Sequence, residues 1–115
     1  MQHQMRLNPE PFEYIKQRKQ KYETRVLDEK RQKINIGDTI IFYKRPEQKE
    51  SITVDVINII KAKNFEELYS KLDPKDANWP ATYTPKDCAE SMLQFYSLEE
   101  QLEYGVVSYE IKVQS

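Results

Sequence analysis

Glu23 and Arg25 stand two residues apart in the run Arg18-Lys19-Gln20-Lys21-Tyr22-Glu23-Thr24-Arg25. On an extended chain, successive side chains alternate in direction, so this spacing aims an acid and a base at the same side. Together they could hold a polar ligand. The guanidinium takes phosphate oxygens, and the carboxylate accepts from an amino group such as that of a nucleobase. Glu23 is also the candidate general base of the run. Lys19, Gln20 and Lys21 lead into the pair, and Lys30 and Arg31 follow it after Asp28-Glu29. Eight of the 18 Lys and Arg residues lie between Lys16 and Lys33, against Glu23, Asp28 and Glu29. A chain of net charge −1 thus gathers positive charge onto one local surface. Such a patch draws phosphates whatever the overall balance.

The rest of the composition closes off other chemistries. His3 and Cys88 are the only residues of their types, too few for a His-based triad or a zinc finger. Gly37 and Gly105 are the only glycines, so there is no glycine-rich phosphate loop and no dinucleotide fingerprint. No metal and no cofactor is expected. A lone cysteine cannot form an intramolecular disulfide, which fits a reducing compartment. No apolar run approaches the ~20 residues of a membrane span, and residues 1–5 are not of signal-peptide type. The expectation is a cytoplasmic protein without a membrane partner. At 115 residues, with 11% aromatics, the chain is expected to fold as one domain over residues 1–115.

The elements that must position the pair follow from periodicity. Residues 4–7 read as a short strand, and Asn8 then caps a helix with Pro9 in its first turn. Phe12 and Ile15 form its apolar face, and basic residues up to Lys19 close it. Residues 21–27 read as a strand with Tyr22, Thr24 and Val26 on the core face and Lys21, Glu23 and Arg25 on the other. A charged turn over 28–33 leads to Gly37, expected at positive φ. Residues 39–43 and 51–60 follow as strands joined by a hairpin loop. Asn64 opens a helix whose face is Phe65, Leu68, Tyr69 and Leu72. Residues 73–83 are irregular and hold the only tryptophan, Trp79. Thr84 starts another helix, with Cys88, Met92, Phe95 and Tyr96 at helical spacing. Ser97 and Glu100 form a capping box for a short helix stopped by Gly105. Val107, Tyr109, Ile111 and Val113 alternate in a final strand. About five strands and a few short helices make an α+β domain, its sheet curling into a small β-barrel.

The passage around Glu23 resembles the motif glycine-x-lysine-x-x-glutamate-x-arginine of the ASCH domain, a branch of the PUA-like superfamily. Glu23 and Arg25 match it, and Gly37-Asp38 matches a following glycine-aspartate. Asn64-Phe65-Glu66-Glu67-Leu68-Tyr69 and the stretch from Phe95 to Val107 also look like small bacterial single-domain members. The resemblance runs from Met5 to Val113. It implies a PUA-like barrel with a cleft beside the motif strand, and a role in binding RNA or modified nucleosides. Some relatives are small hydrolases of acetylcytidine, in which a lysine activates a threonine, and ribonuclease activity is attributed to others. Here Arg18 stands at the motif glycine, Gln20 at the lysine and Glu23 at the threonine position.

The expected function is therefore binding of RNA or a nucleotide-like small molecule through a basic cleft formed by Lys19, Gln20, Lys21, Glu23, Arg25 and Arg31. The alternative is a small hydrolase acting on RNA or a modified nucleoside, with Glu23 as its candidate catalytic residue. An isoelectric point near 5.9 argues for a local patch over a broad nucleic-acid-binding face. Tyr96 and Tyr104 are expected to pack in the core with Met92 and Leu102, although either could stack on a base. Trp79 stands open between a lid over the cleft, an anchor for a partner and a plug in the barrel end. Cys88 is expected in the core.

Overall fold

The computed structural model describes residues 1–114. Five strands form one sheet: β1 (Gln2–Leu7), β2 (Tyr22–Val26), β3 (Thr39–Lys44), β4 (Ser51–Ala62) and β5 (Val106–Val113). Their order across the sheet is β1-β3-β4-β5-β2, with β1 parallel to β3 and the other neighbours antiparallel. Four short helices accompany it: α1 (Pro9–Lys16), α2 (Phe65–Tyr69), α3 (Pro85–Met92) and α4 (Leu98–Tyr104). The sheet curls into a half-barrel. β1 and β2 are its two edges, and the seam between them stays open.

Two apolar cores lie on opposite faces of this sheet. Inside the curl, Met5 and Leu7 of β1 meet Phe12 and Ile15 of α1, Ile40 and Phe42 of β3, and Val54, Val107 and Tyr109. On the outer face, Phe65, Leu68 and Tyr69 of α2 pack with Cys88 and Met92 of α3 against Val26 and Val106. Val106 and Val107 are adjacent and fully buried, so they serve different cores through the strand alternation. The expectation of a half-buried last strand is corrected here, because α2 and α3 cover the face that was to meet water. Ser108 is buried and shares a 3.1 Å hydrogen bond with Thr24 on β2.

Local chemistry explains the boundaries. Thr84 and Ser97 each accept from the backbone N–H three residues on, and the Asp87 and Glu100 carboxylates return the bond. Asn64 accepts from the Glu67 N–H at 2.9 Å. Asn8 holds the N-cap position of α1, yet its side chain caps no N–H of that helix. It accepts from Arg45 at 3.5 Å instead. α1 ends in a Schellman turn, with Arg18 N–H donating to Ile15 O at 2.9 Å and Lys19 N–H to Tyr14 O at 2.8 Å. This geometry requires Arg18 in the left-handed region, at φ 61°. Position 18 is where the motif has glycine, a residue that takes this left-handed conformation at no steric cost. Gly105 ends α4 at φ 75° and ψ −174°. A Cβ there would stand 3.1 Å from Ala62 O.

α3 stops at Met92, so Phe95 does not continue its buried face and is 58% exposed. Leu102, expected in the core, is also exposed. No helix among the described residues is long and apolar enough to cross a membrane.

Candidate functional site along the open seam

The Schellman turn delivers Gln20 to the start of β2, where it is buried. Its Nε2 donates to Tyr22 O at 2.9 Å, and its Oε1 is buried without a partner among the described residues. From there β2 runs as the sheet edge, paired only with β5. Glu23 lies opposite Tyr109 and Arg25 opposite Val107, so both point toward the inside of the curl. Their shared face opens at the seam. Arg25 Nη2 donates to Glu23 Oε2 at 3.2 Å and to the Arg6 carbonyl on β1 at 3.1 Å. Glu23 is only 7% exposed.

A hollow of about 660 Å³ follows the β2 edge from the β1–α1 junction to the helical layer. Gln20, Glu23 and Arg25 are among its polar walls, with Asn78 and Gln94. Tyr69, Trp79 and Tyr96 bring aromatic surface, and Phe95 lies at the exposed rim. The loop after α2 places Trp79, since Asn78 takes a left-handed conformation at φ 66° and Trp79 N–H donates to Pro74 O. The Trp79 ring stacks on Tyr83 at 6.0 Å and meets Tyr69 edge-on at 6.4 Å. Its Nε1 is buried without a hydrogen-bond partner among the described residues. The structure gives Trp79 a place in the wall of this hollow.

The electrostatics fix the charge state of the base. Burial works against the Arg25 guanidinium, but the Glu23 carboxylate and Tyr96 overcome that penalty and raise its pKa further. Burial raises the Tyr96 phenol, partly opposed by Arg25. Burial likewise pushes Tyr69 up to about 12, so both rings are neutral O–H groups at ordinary pH. The hollow therefore combines a fixed cation, a carboxylate with spare lone pairs and a neutral aromatic wall. That set suits a flat, polar ring.

A second hollow of about 430 Å³ adjoins the first, sharing Arg6, Arg25 and Arg45. Lys30 and Arg31 also line it. The candidate residues thus divide: Gln20, Glu23 and Arg25 line the first hollow, and Arg25 and Arg31 line the second. Lys19 and Lys21 line neither; Lys21 reaches out to Asp76 at 3.7 Å. The motif pair Gly37-Asp38 also lies outside both hollows and shapes the turn before β3. Arg6 and Arg45 were not singled out as neighbours of the pair. No local signal marks the arginines, because they reach it only through the β1–β3 pairing.

Comparison with known proteins bears on the family and the fold. The model of the ASCH domain family matches residues 5–113. No curated protein matches the chain. Among solved structures, the crystal structure of hypothetical protein PH0355 is similar at 34% identity and a TM-score of 0.85, covering 99% of this chain and 100% of that one. The solution structure of protein PF0455 from Pyrococcus furiosus is similar at 33% identity and a TM-score of 0.75, covering 100% and 99%. With the motif strand, the half-barrel and a family match across nearly its whole length, the chain belongs to the ASCH domain family.

Proposed function

We propose that this ASCH domain binds RNA or a nucleotide, seating a base in the larger hollow against Trp79 and Tyr96 with Glu23 and Arg25 at its polar end. The observation that carries the reading is the Glu23–Arg25 pair, 3.2 Å apart and nearly buried, in a hollow with aromatic walls. Arg25 consumes part of one carboxylate oxygen, and the remaining lone pairs can accept from an exocyclic amino group. Ring stacking contributes about 1–3 kcal/mol per base. A volume of about 660 Å³ falls in the usual range for small-molecule sites. The ASCH family's association with RNA supports the same class of ligand. Lys19 and Lys21 act in this reading only as distant charges that speed encounter.

Hydrolysis is the weaker reading on the residues present. The position that carries a lysine in amidohydrolase relatives holds Gln20, whose amide neither gives nor takes a proton at neutral pH. Its Nε2 is already committed to Tyr22 O.

Trp79 is the only tryptophan, so its fluorescence reports on the hollow directly. Titration with cytidine, adenosine, guanosine, uridine and short single-stranded RNA is expected to give a saturable change with at least one of them. Trp79→Leu is expected to weaken binding about tenfold, one stacking contribution, as read by calorimetry. Absence of binding by every probe sinks the proposal. Cleavage of RNA that vanishes in Glu23→Gln while binding persists replaces it with the hydrolase.

A further inference from the structure

We propose that the smaller hollow is a phosphate subsite, built to hold the phosphate of a nucleotide whose base occupies the larger one. Arg6, Arg25, Lys30, Arg31 and Arg45 line it, and no carboxylate does. Two of these cations are partly neutralised from outside the hollow, Arg25 by Glu23 at 3.2 Å and Arg31 by Asp28 at 3.1 Å. Among the described residues, Arg6, Lys30 and Arg45 have no carboxylate partner. Convergent like charges around one concavity repel, and an anion bound among them removes that cost.

The arrangement is held by the fold. Arg6 Nε donates to Gln48 Oε1 at 3.0 Å, and Arg45 N–H donates to Leu7 O at 2.8 Å, so the β3–β4 turn is bound to the end of β1. Arg31 is fixed by its Asp28 contact in the short 3-10 turn Arg31–Lys33, and its Nε is buried with no partner among the described residues. Lys30 feels the cluster: desolvation lowers its pKa first, and Arg31, Arg25 and Arg6 lower it further, against an opposing pull from Asp28. Tyr43 is the remaining titratable group on the wall. Arg25 belongs to both hollows, so one guanidinium joins the base end to the phosphate end. Guanidinium groups suit phosphate through paired N–H donors.

This inference rests on the proposed base site, but its test separates the two. On the full chain, the Lys30 side-chain resonance is followed by NMR as inorganic phosphate replaces chloride at constant ionic strength. The expected result is a saturable shift and a rise in the Lys30 pKa, with no such change at Lys63. Arg45→Gln combined with Lys30→Gln, both outside the larger core contacts, is expected to weaken phosphate binding at least tenfold. In the wild type, a nucleoside 5′-monophosphate is expected to bind at least tenfold tighter than its nucleoside, and the double variant to erase that difference. A mononucleotide and a short RNA lacking a terminal phosphate distinguish a monoester from a diester as the natural occupant. A Lys30 resonance that responds to chloride and phosphate alike, or equal affinity for nucleoside and nucleotide, overturns the subsite. Phosphate binding without any nucleoside binding keeps the subsite and removes the base site instead.

Discussion

Arg25 on β2 donates to the backbone carbonyl of Arg6 on β1 at 3.1 Å, and these strands are the two unpaired edges of the sheet. A side chain therefore bridges a seam that a closed barrel would join with ladder hydrogen bonds. The same Nη2 atom also holds Glu23. Lysine keeps the charge at this position but lacks the planar fork that reaches both acceptors. Arg25→Lys is expected to lower stability by about 2 kcal/mol, the range of a hydrogen bond to a charged group. Urea unfolding gives the magnitude, and hydrogen exchange is expected to quicken first along β1 and β2. An unchanged urea midpoint removes the bridge from the account.

Glu23 tests the other half of the pair. Replacing it by glutamine preserves shape and leaves the Arg25 guanidinium nearly buried without its counter-charge. Breaking one side of a buried pair costs roughly 3–5 kcal/mol. The side chains here retain 10% and 13% exposure, so Glu23→Gln is expected toward or below the lower end of that range. A double-mutant cycle with Arg25→Gln isolates the coupling. If the two single losses simply add, the residues act independently.

The sequence made the motif strand, the capping boxes and the helix faces around Phe65 and Cys88 legible, because each is written in residues a few positions apart. Tyr22, Thr24 and Val26 read as the core face of β2, and Val26 does join the outer core. Alternation alone could not tell that the opposite face is sheltered as well. That follows from the curl, which sets Glu23 beside Tyr109 and Arg25 beside Arg6. The smaller hollow draws Arg6, Arg25, Lys30 and Arg45 from distant parts of the chain, with the parallel β1–β3 contact bringing Arg6 and Arg45 together. A charge count on residues 16–33 sees only part of it. Phe95 and Leu102 misled for a different reason: their spacing was helical, but the helix of one ends early and the other faces water.

Arg18 sits in a conformation that favours glycine. Its φ of 61° closes the Schellman turn after α1, and a side chain there carries a cost of about 1 kcal/mol. Glycine removes that cost but loses more backbone freedom on folding. Arg18→Gly is expected to be neutral to stabilising by at most about 1 kcal/mol, measured by the thermal midpoint. Arg18→Val, with a β-branched side chain at positive φ, is expected to destabilise. Destabilisation by glycine instead would show that the Arg18 side chain contributes more than the turn costs.

Asp38 accounts for part of the acid sensitivity. His3 Nε2 lies 2.8 Å from its carboxylate and the Asn35 N–H donates at 2.9 Å. His3 first, then Asn35, holds the Asp38 carboxyl well below the ordinary carboxylate range. A depressed folded-state pKa favours the folded protein once the unfolded carboxyl ionises, near pH ~4. That contribution is complete above the unfolded value and disappears as pH falls through the folded one. Asp38→Asn is expected to lower the urea midpoint at pH 7 and to flatten its decline between pH 4 and 2. Parallel wild-type and variant profiles down to pH 2 contradict the assignment.

Cys88 offers a probe of the outer core and itself lines neither hollow. It is fully buried between α2 and α3, and burial, with a smaller push from Asp87, raises its thiol to about 11. At pH 8 only ~0.1% of such a thiol is ionised, and the thiolate is the reactive form. Labelling by an aromatic disulfide reagent is therefore expected to wait for opening of the α2–α3 layer. Its rate is expected to rise with urea in step with the unfolding equilibrium. Ligand in the larger hollow, which Met92 and Tyr69 also line, is expected to slow it. Immediate labelling of the native protein at pH 8 would place this layer among the easily opened parts of the fold and remove the link between core and site.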